Sequence, residues 1–187
     1  MDAEWQLIGE RGRKYLTEAE RRAFSAAAME GPLPDRVLAH LLVHSGARLS
    51  EALSVRKGDL DASVGSVLVR TLKKRKDHFR LIPTPICVWQ AGRRMVGEDA
   101  PDEQRLWTFC RTTGWRKMKR IFARAGIEGV HACPKGLRHG FAVSALNAGV
   151  PLPLLRRWLG HSSIRTTSIY TEVMGEEERA FAERMWW

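Results

Sequence analysis

The sequence predicts an α+β fold, mainly α-helical with one small antiparallel β-sheet. Three observations predict it: apolar residues at helical spacing through most of the chain, one strand-like segment at 64–83, and 187 residues with no Ser/Gly-rich linker, low-complexity tract or internal repeat to divide them. That length suits one domain with a sizeable core.

The elements follow in order. Residues 1–16 read as a short lead-in. Thr17-Glu18-Ala19-Glu20 has the spacing of a capping box, in which the threonine side chain and the glutamate satisfy each other's backbone N–H groups, so a helix starts there and runs through Ala-rich sequence to Met29. From Pro34 to Ser45, Val37, Leu38, Leu41 and Leu42 fall on one helical face, and Gly46 is suited to end the helix in a left-handed conformation. A short helix restarts at Ser50-Glu51-Ala52-Leu53. Arg48 thus lies at a junction between two helices, where a side chain can project into a cleft. Val67-Leu68-Val69 and Phe79-Arg80-Leu81-Ile82 read as two strands of a hairpin whose tip carries Lys73-Lys74-Arg75-Lys76. Helical spacing then returns at about 85–95, 113–125 (Trp115, Met118 and Phe122 on one face), 135–148, 152–159, 163–170 and 175–186. Trp158 and the Leu154-Leu155-Leu159 face are assigned to the core.

Lys and Arg number 31 against 21 Asp and Glu, a formal charge of +10. Such an excess favours a phosphate-rich partner, but ribosomal and membrane-surface proteins share it, so charge alone does not select nucleic acid. Cys87, Cys110 and Cys133 are odd in number and far apart, which excludes a disulfide framework and a zinc ribbon and fits a reducing cytosol. His131 and Cys133 are close together but lack a second ligand pair, so both are assigned structural roles and no metal is expected. Neither an apolar export signal nor a membrane-spanning run is present in the sequence, so a cytoplasmic, DNA-associated bacterial protein that does not engage a membrane is expected. No P-loop or acidic cluster calls for a nucleotide or metal cofactor.

The densest chemical signal is Leu137-Arg138-His139-Gly140-Phe141, followed by Leu159-Gly160-His161-Ser162-Ser163-Ile164 and Thr166-Thr167-Ser168-Ile169-Tyr170, with Tyr170 nine positions after His161. This pattern resembles the tyrosine recombinases, the phage-integrase family. Gly46-Ala47-Arg48-Leu49-Ser50-Glu51 resembles that family's first arginine box, and the basic hairpin resembles its lysine-bearing one. The resemblance runs from about Thr17 to the end of the chain and implies the tyrosine recombinase catalytic-domain fold over 17–187, without the N-terminal core-binding domain typical of the family. Residues 1–16 are too few to form one, so a fragment, or a minimal recombinase helped by an accessory protein, is expected.

The residue types suit that chemistry. A phosphodiester is an anion that gains charge in its five-coordinate transition state, so catalysis is mainly positioning and electrostatic stabilisation. Arg48 and Arg138 present planar, permanently charged forks that match two non-bridging oxygens better than lysine would. Most arginines in so basic a chain are solvated charges, and it is the motif context that singles out these two. His161 is expected to donate to a non-bridging oxygen from the start of a helix. The resemblance implies that Tyr170 attacks phosphorus to give a 3′-phosphotyrosyl link and a free 5′-hydroxyl, keeping the bond energy, so neither ATP nor metal is needed.

The resemblance also implies a hairpin lysine as general acid for the 5′-oxygen. Lys73 is selected, with Lys74, Arg75 and Lys76 as alternatives, against a merely solvated patch touching DNA backbone. Lys135 stands where the family more often has histidine. A lysine is protonated at neutral pH, so Lys135 is expected to act as a cation and donor, leaving the acceptor for the Tyr170 proton unassigned. His139 is read as a supporting residue, and Glu51 either as a surface carboxylate or as one that orients an active-site group. The expected partner is double-stranded DNA. Two exposed tryptophans, Trp186-Trp187, at the end of a helix after Tyr170 would be unusual on a monomer, and the resemblance implies that this helix docks into a neighbouring subunit of a homo-tetramer. Two other readings stay open: a DNA-binding relative without activity, and a topoisomerase of type IB.

Overall fold

The computed structural model of the chain describes residues 7–9, 12–71, 78–171 and 183. Among these are eight α-helices and a three-stranded antiparallel sheet, with a two-stranded hairpin in the lead-in. The predicted class, mainly helical with a small antiparallel sheet, is the one observed.

The lead-in is more structured than the sequence reading allows. Strands β1 (Ile8–Gly9) and β2 (Gly12–Arg13) pair antiparallel, and Leu7 and Leu16 on either side are buried. Too few apolar residues alternate here for a strand signal to register. Helix α1 (Glu18–Met29) begins in the expected capping box: Thr17 N–H donates to Glu20 Oε2 at 2.9 Å and Glu20 N–H to Thr17 Oγ1 at 3.3 Å. Glu20 also accepts from Arg13 Nη1 at 2.7 Å and pairs with His131 Nε2 at 3.2 Å. His131 is therefore structural, tying the loop before the sixth helix to α1 and, through Glu20, to Arg13 of the lead-in.

Helix α2 (Leu33–Ser45) is the centre of the core, with Val37, Leu38, Leu41 and Leu42 all almost fully buried. It ends as predicted at Gly46, whose φ of 60° lies in the left-handed region, and a Cβ there would sit 2.4 Å from Phe141 Cδ1. The chain therefore turns sharply into α3 (Leu49–Ala52), for which Arg48 is the N-cap.

The sheet has the order β3 (Leu60–Asp61), β4 (Ser66–Arg70), β5 (Phe79–Pro83). Its register sets Val67 opposite Ile82 and Val69 opposite Arg80. Val67, Val69 and Ile82 point into the core and, by the two-residue period of a strand, so does Arg80. Phe79 and Leu81 face outward. The hairpin tip, 72–77, lies outside the described residues, and Lys73 with it.

Helices α4 (Ile86–Val96), α5 (Arg111–Arg124), α6 (Pro134–Asn147) and α7 (Leu152–Leu159) fall within two residues of the predicted spans. Phe24 of α1 and Phe122 of α5 pack with ring centroids 4.5 Å apart. Met118 and Phe122 enter the core as expected, but Trp115 does not: it is 43% exposed and lines a cavity. The predicted helix at 163–170 shortens to α8 (Arg165–Ser168), with Tyr170 in the turn after it. A second buried cluster holds Leu7, Phe141, Leu155, Leu159 and Tyr170, with Trp158 packed against it. The expected helix at 175–186, apart from Glu183, lies outside the described residues.

Candidate active site

The predicted residues Arg48, Lys135, Arg138, His161 and Tyr170 meet around one cavity of about 700 Å³, although they come from four separate segments of the chain. The lining carries five cationic side chains, Lys14, Arg48, Arg111, Lys135 and Arg138, and among the described residues no Asp or Glu. Low-dielectric walls of one charge sign focus the field on an anion.

Arg138, on α6, is buried and held from both sides. Its Nη1 donates to the Gly46 carbonyl and its Nη2 to the Leu159 carbonyl, each at 2.7 Å. These carbonyls end α2 and α7, where the helix dipoles are negative, so a cation is favoured there. Burial pushes its pKa down, and neighbouring Arg48 adds to this, to about 9, which leaves the guanidinium charged at neutral pH. A guanidinium has more donors than those two bonds consume, so further N–H groups remain for an anion.

Arg48 is fixed by Glu51, one turn along α3. Glu51 Oε2 accepts from the Arg48 backbone N–H and Oε1 from Arg48 Nη1, both at 3.0 Å. Oε2 also accepts from Arg80 Nη2 at 2.5 Å. Burial raises the Glu51 pKa, but the positive charge of Arg80 and the bonds from Arg48 outweigh it, so the net direction is down. Arg80 in turn donates through Nε to the Trp158 carbonyl and through Nη1 to Thr71 Oγ1, both at 2.7 Å. Sheet, α3 and α7 are therefore clamped together by one buried arginine. A Cβ on Gly160 would lie 3.1 Å from Arg80 Nη1, and its φ of 67° is left-handed, so glycine is needed both for the turn after α7 and for the approach of Arg80. Sequence reading missed Arg80. Its signal was present: in Phe79-Arg80-Leu81-Ile82, strand alternation puts the arginine on the same face as Ile82.

His161 does not open a helix. Its N–H donates to the Arg156 carbonyl at 3.2 Å, just past the left-handed Gly160 that caps α7, while α8 starts at Arg165. Its Nδ1 lies 3.0 Å from Thr167 Oγ1. Burial, and then the charges of Arg138 and Arg48, hold the imidazole at about 3, so it is neutral. With the threonine hydroxyl as donor, the proton sits on Nε2, giving a neutral ring that still offers a donor.

Tyr170 is 1% exposed and its ring stacks at 6.5 Å against His161. Burial pushes its hydroxyl up to about 12, against the pull of Arg138 and Arg48. The hydroxyl lies 2.9 Å from His139 Nδ1. His139, read from sequence as a supporting residue, therefore touches the tyrosine oxygen directly. Lys135 is exposed at the cavity, one helical turn before His139 on α6. Among the described residues no group of three or more His, Cys, Asp or Glu could hold a metal.

Acid should weaken the folded state. His44, His139 and His161 are all lowered mainly by burial, to about 4, 3 and 3. An unfolded histidine titrates near about 6.5, so as pH falls from there the unfolded chain binds protons that the folded chain refuses. The melting temperature is expected to hold above pH 7 and to drop by at least about 5 °C between pH 6.5 and pH 4.5. An unchanged melting temperature across that window contradicts the neutral histidines.

Fold and site together define a mainly helical domain with a cationic cavity beside a buried tyrosine. Residues 14–177 match the sequence model of the Phage integrase family, and the chain belongs to that family. It is 31% identical over 180 residues to tyrosine recombinase XerA of Thermococcus kodakarensis, covering 91% of this chain and 62% of that protein. It is 32% identical over 158 residues to tyrosine recombinase XerD of Corynebacterium glutamicum, covering 79% and 51%. The chain thus spans about 62% of the length of the XerA relatives it matches. In structure it resembles the crystallised XerA recombinase, with a TM-score of 0.75 and 26% identity over 92% of this chain and 65% of that one. It also shares the fold of the catalytic domain of bacteriophage HP1 integrase, with a TM-score of 0.67 and 21% identity over 91% and 93%.

Proposed function

We propose that this chain is the catalytic domain of a site-specific DNA recombinase that cleaves and rejoins strands through a 3′-phosphotyrosyl intermediate at Tyr170. The observation that carries the reading is the placement of Tyr170 at the wall of a cavity with five cationic side chains and, among the described residues, no carboxylate. In this reading the scissile phosphate is held by Arg48, Arg138 and the Nε2–H of His161. Lys135 adds positive charge, and Lys73 protonates the leaving 5′-oxygen. Double-stranded DNA is the substrate. A recombinase of the same fold, with a TM-score of 0.75 and 20% identity, has been solved bound to a palindromic substrate as a post-cleavage complex.

The domain, 17–187 with its lead-in, works as part of a tetramer on two DNA sites, and an accessory protein or a further domain clasps the other face of the duplex. In this reading the protein acts where its DNA is, in the cytoplasm. Among the described residues no helix is long and apolar enough to cross a membrane.

The test is incubation with a nicked suicide DNA that traps the covalent intermediate, followed by strand exchange between two sites. The expected result is a protein–DNA adduct that survives denaturation, and recombinant strands in the second assay. Binding without an adduct favours a DNA-binding relative, and an adduct with supercoil relaxation but no exchange favours a topoisomerase.

A further inference from the structure

Tyr170 is 1% exposed, and a buried O–H without an acceptor is destabilising. The cavity offers few acceptors. No carboxylate lines it among the described residues, the two arginines and Lys135 only donate, and the His161 Nδ1 is engaged by Thr167. Tyr170 Oη lies 2.9 Å from His139 Nδ1, with the two rings tilted at 49° and 5.7 Å apart. The hydroxyl therefore donates and Nδ1 accepts, which places the ring proton on Nε2.

We propose that His139 is the residue that takes the proton of Tyr170 as the phosphotyrosyl bond forms. The inference rests on the proposed function. As Oη bonds to phosphorus, its proton passes to Nδ1, and the bond from phosphorus to the 5′-oxygen breaks with its electron pair on that oxygen, which takes a proton from a lysine ammonium or water. In the reverse step the 5′-hydroxyl attacks, and the imidazolium returns its proton to Oη.

The charges around His139 set when this transfer is possible. On its own helix stand Lys135 and Arg138, from the lead-in comes Lys14, and from the last turn Tyr170. Burial first, and then Lys135, Arg138 and Lys14, keep the free imidazole neutral, with its pKa held at about 3. That leaves the lone pair on Nδ1 free to accept. A bound phosphodiester adds negative charge opposite those three cations, and the transition state adds more, so the imidazolium becomes tolerable at the moment it is needed. The arrangement gives a site whose H-x-x-R position is lysine an acceptor one helical turn further on.

The test compares wild type with His139→Ala and His139→Asn in single-turnover cleavage of the nicked suicide DNA from pH 6 to pH 9. Asparagine places an amide oxygen near the Nδ1 position and so keeps an acceptor that cannot take a proton. DNA affinity and melting temperature are measured in parallel to establish that each variant is folded. Both variants are expected to bind DNA like wild type and to cleave it at least about 100-fold more slowly at pH 7. Their rates should then climb about tenfold per pH unit, steeper than wild type, as hydroxide replaces the lost acceptor. A wild-type rate in either variant, or a loss by the same factor at every pH, overturns the inference alone. Absence of an adduct with wild type overturns the proposed function and this inference with it.

Discussion

Replacing Arg138 by alanine is expected to lower the single-turnover rate of DNA cleavage by about 10³-fold or more, the scale of losing a preorganised cation from a phosphoryl-transfer site. The position of this side chain explains the size. Its two carbonyl anchors, Gly46 and Leu159, are the ends of α2 and α7, next to Arg48 and His161 in sequence. Removing the guanidinium therefore takes away a proposed phosphate donor and also frees the two segments that carry Arg48 and His161. Arg138→Lys should recover little, because one ammonium cannot bridge both carbonyls and still face the phosphate as a fork. Cleavage within tenfold of wild type in either variant contradicts the proposed phosphate clamp.

The second large effect is on stability. Glu51→Ala leaves Arg80, whose side chain is fully buried, without its carboxylate. Breaking a buried pair by removing one partner costs about 3–5 kcal/mol, since the remaining charge is uncompensated. Urea unfolding should show that loss as a lower midpoint with little change in slope. A double replacement of Glu51 and Arg80 by leucine should recover much of it, because two apolar groups need no solvation inside the protein. It should not recover cleavage, since Arg48 would still lack the carboxylate that fixes its backbone and its Nη1. A single mutant as stable as wild type would show that the pair does not hold sheet and helices together.

What could be read from the sequence divides along physical lines. Local rules worked: the Thr17–Glu20 capping box, the left-handed Gly46 and the strand-like run within 66–70 depend on residues a few positions apart. The convergence of Arg48, Lys135, Arg138, His161 and Tyr170 on one cavity followed from motif resemblance rather than from any local rule. Contacts between distant segments were not legible. Arg80 meets Glu51 across 29 residues and Trp158 across 78, and neither partner can be chosen from periodicity. His139 and Tyr170 are 31 residues apart, and only the packing of α6 against the turn after α8 shows that they touch. Trp115 shares a helical face with Met118 and Phe122, yet it falls at the edge of that face and lines the cavity instead.

The most direct test of the account is the chemical identity of the covalent bond. After trapping on suicide DNA and nuclease digestion, trypsin should release the peptide 166–179, bounded by Arg165 and Arg179, carrying a 3′-phosphonucleotide on Tyr170. Fragmentation mass spectrometry locates the modified residue, and Tyr170→Phe should bind the same DNA but yield no modified peptide. A nucleotide attached to any other residue, or an adduct that persists in Tyr170→Phe, would contradict the account at its centre.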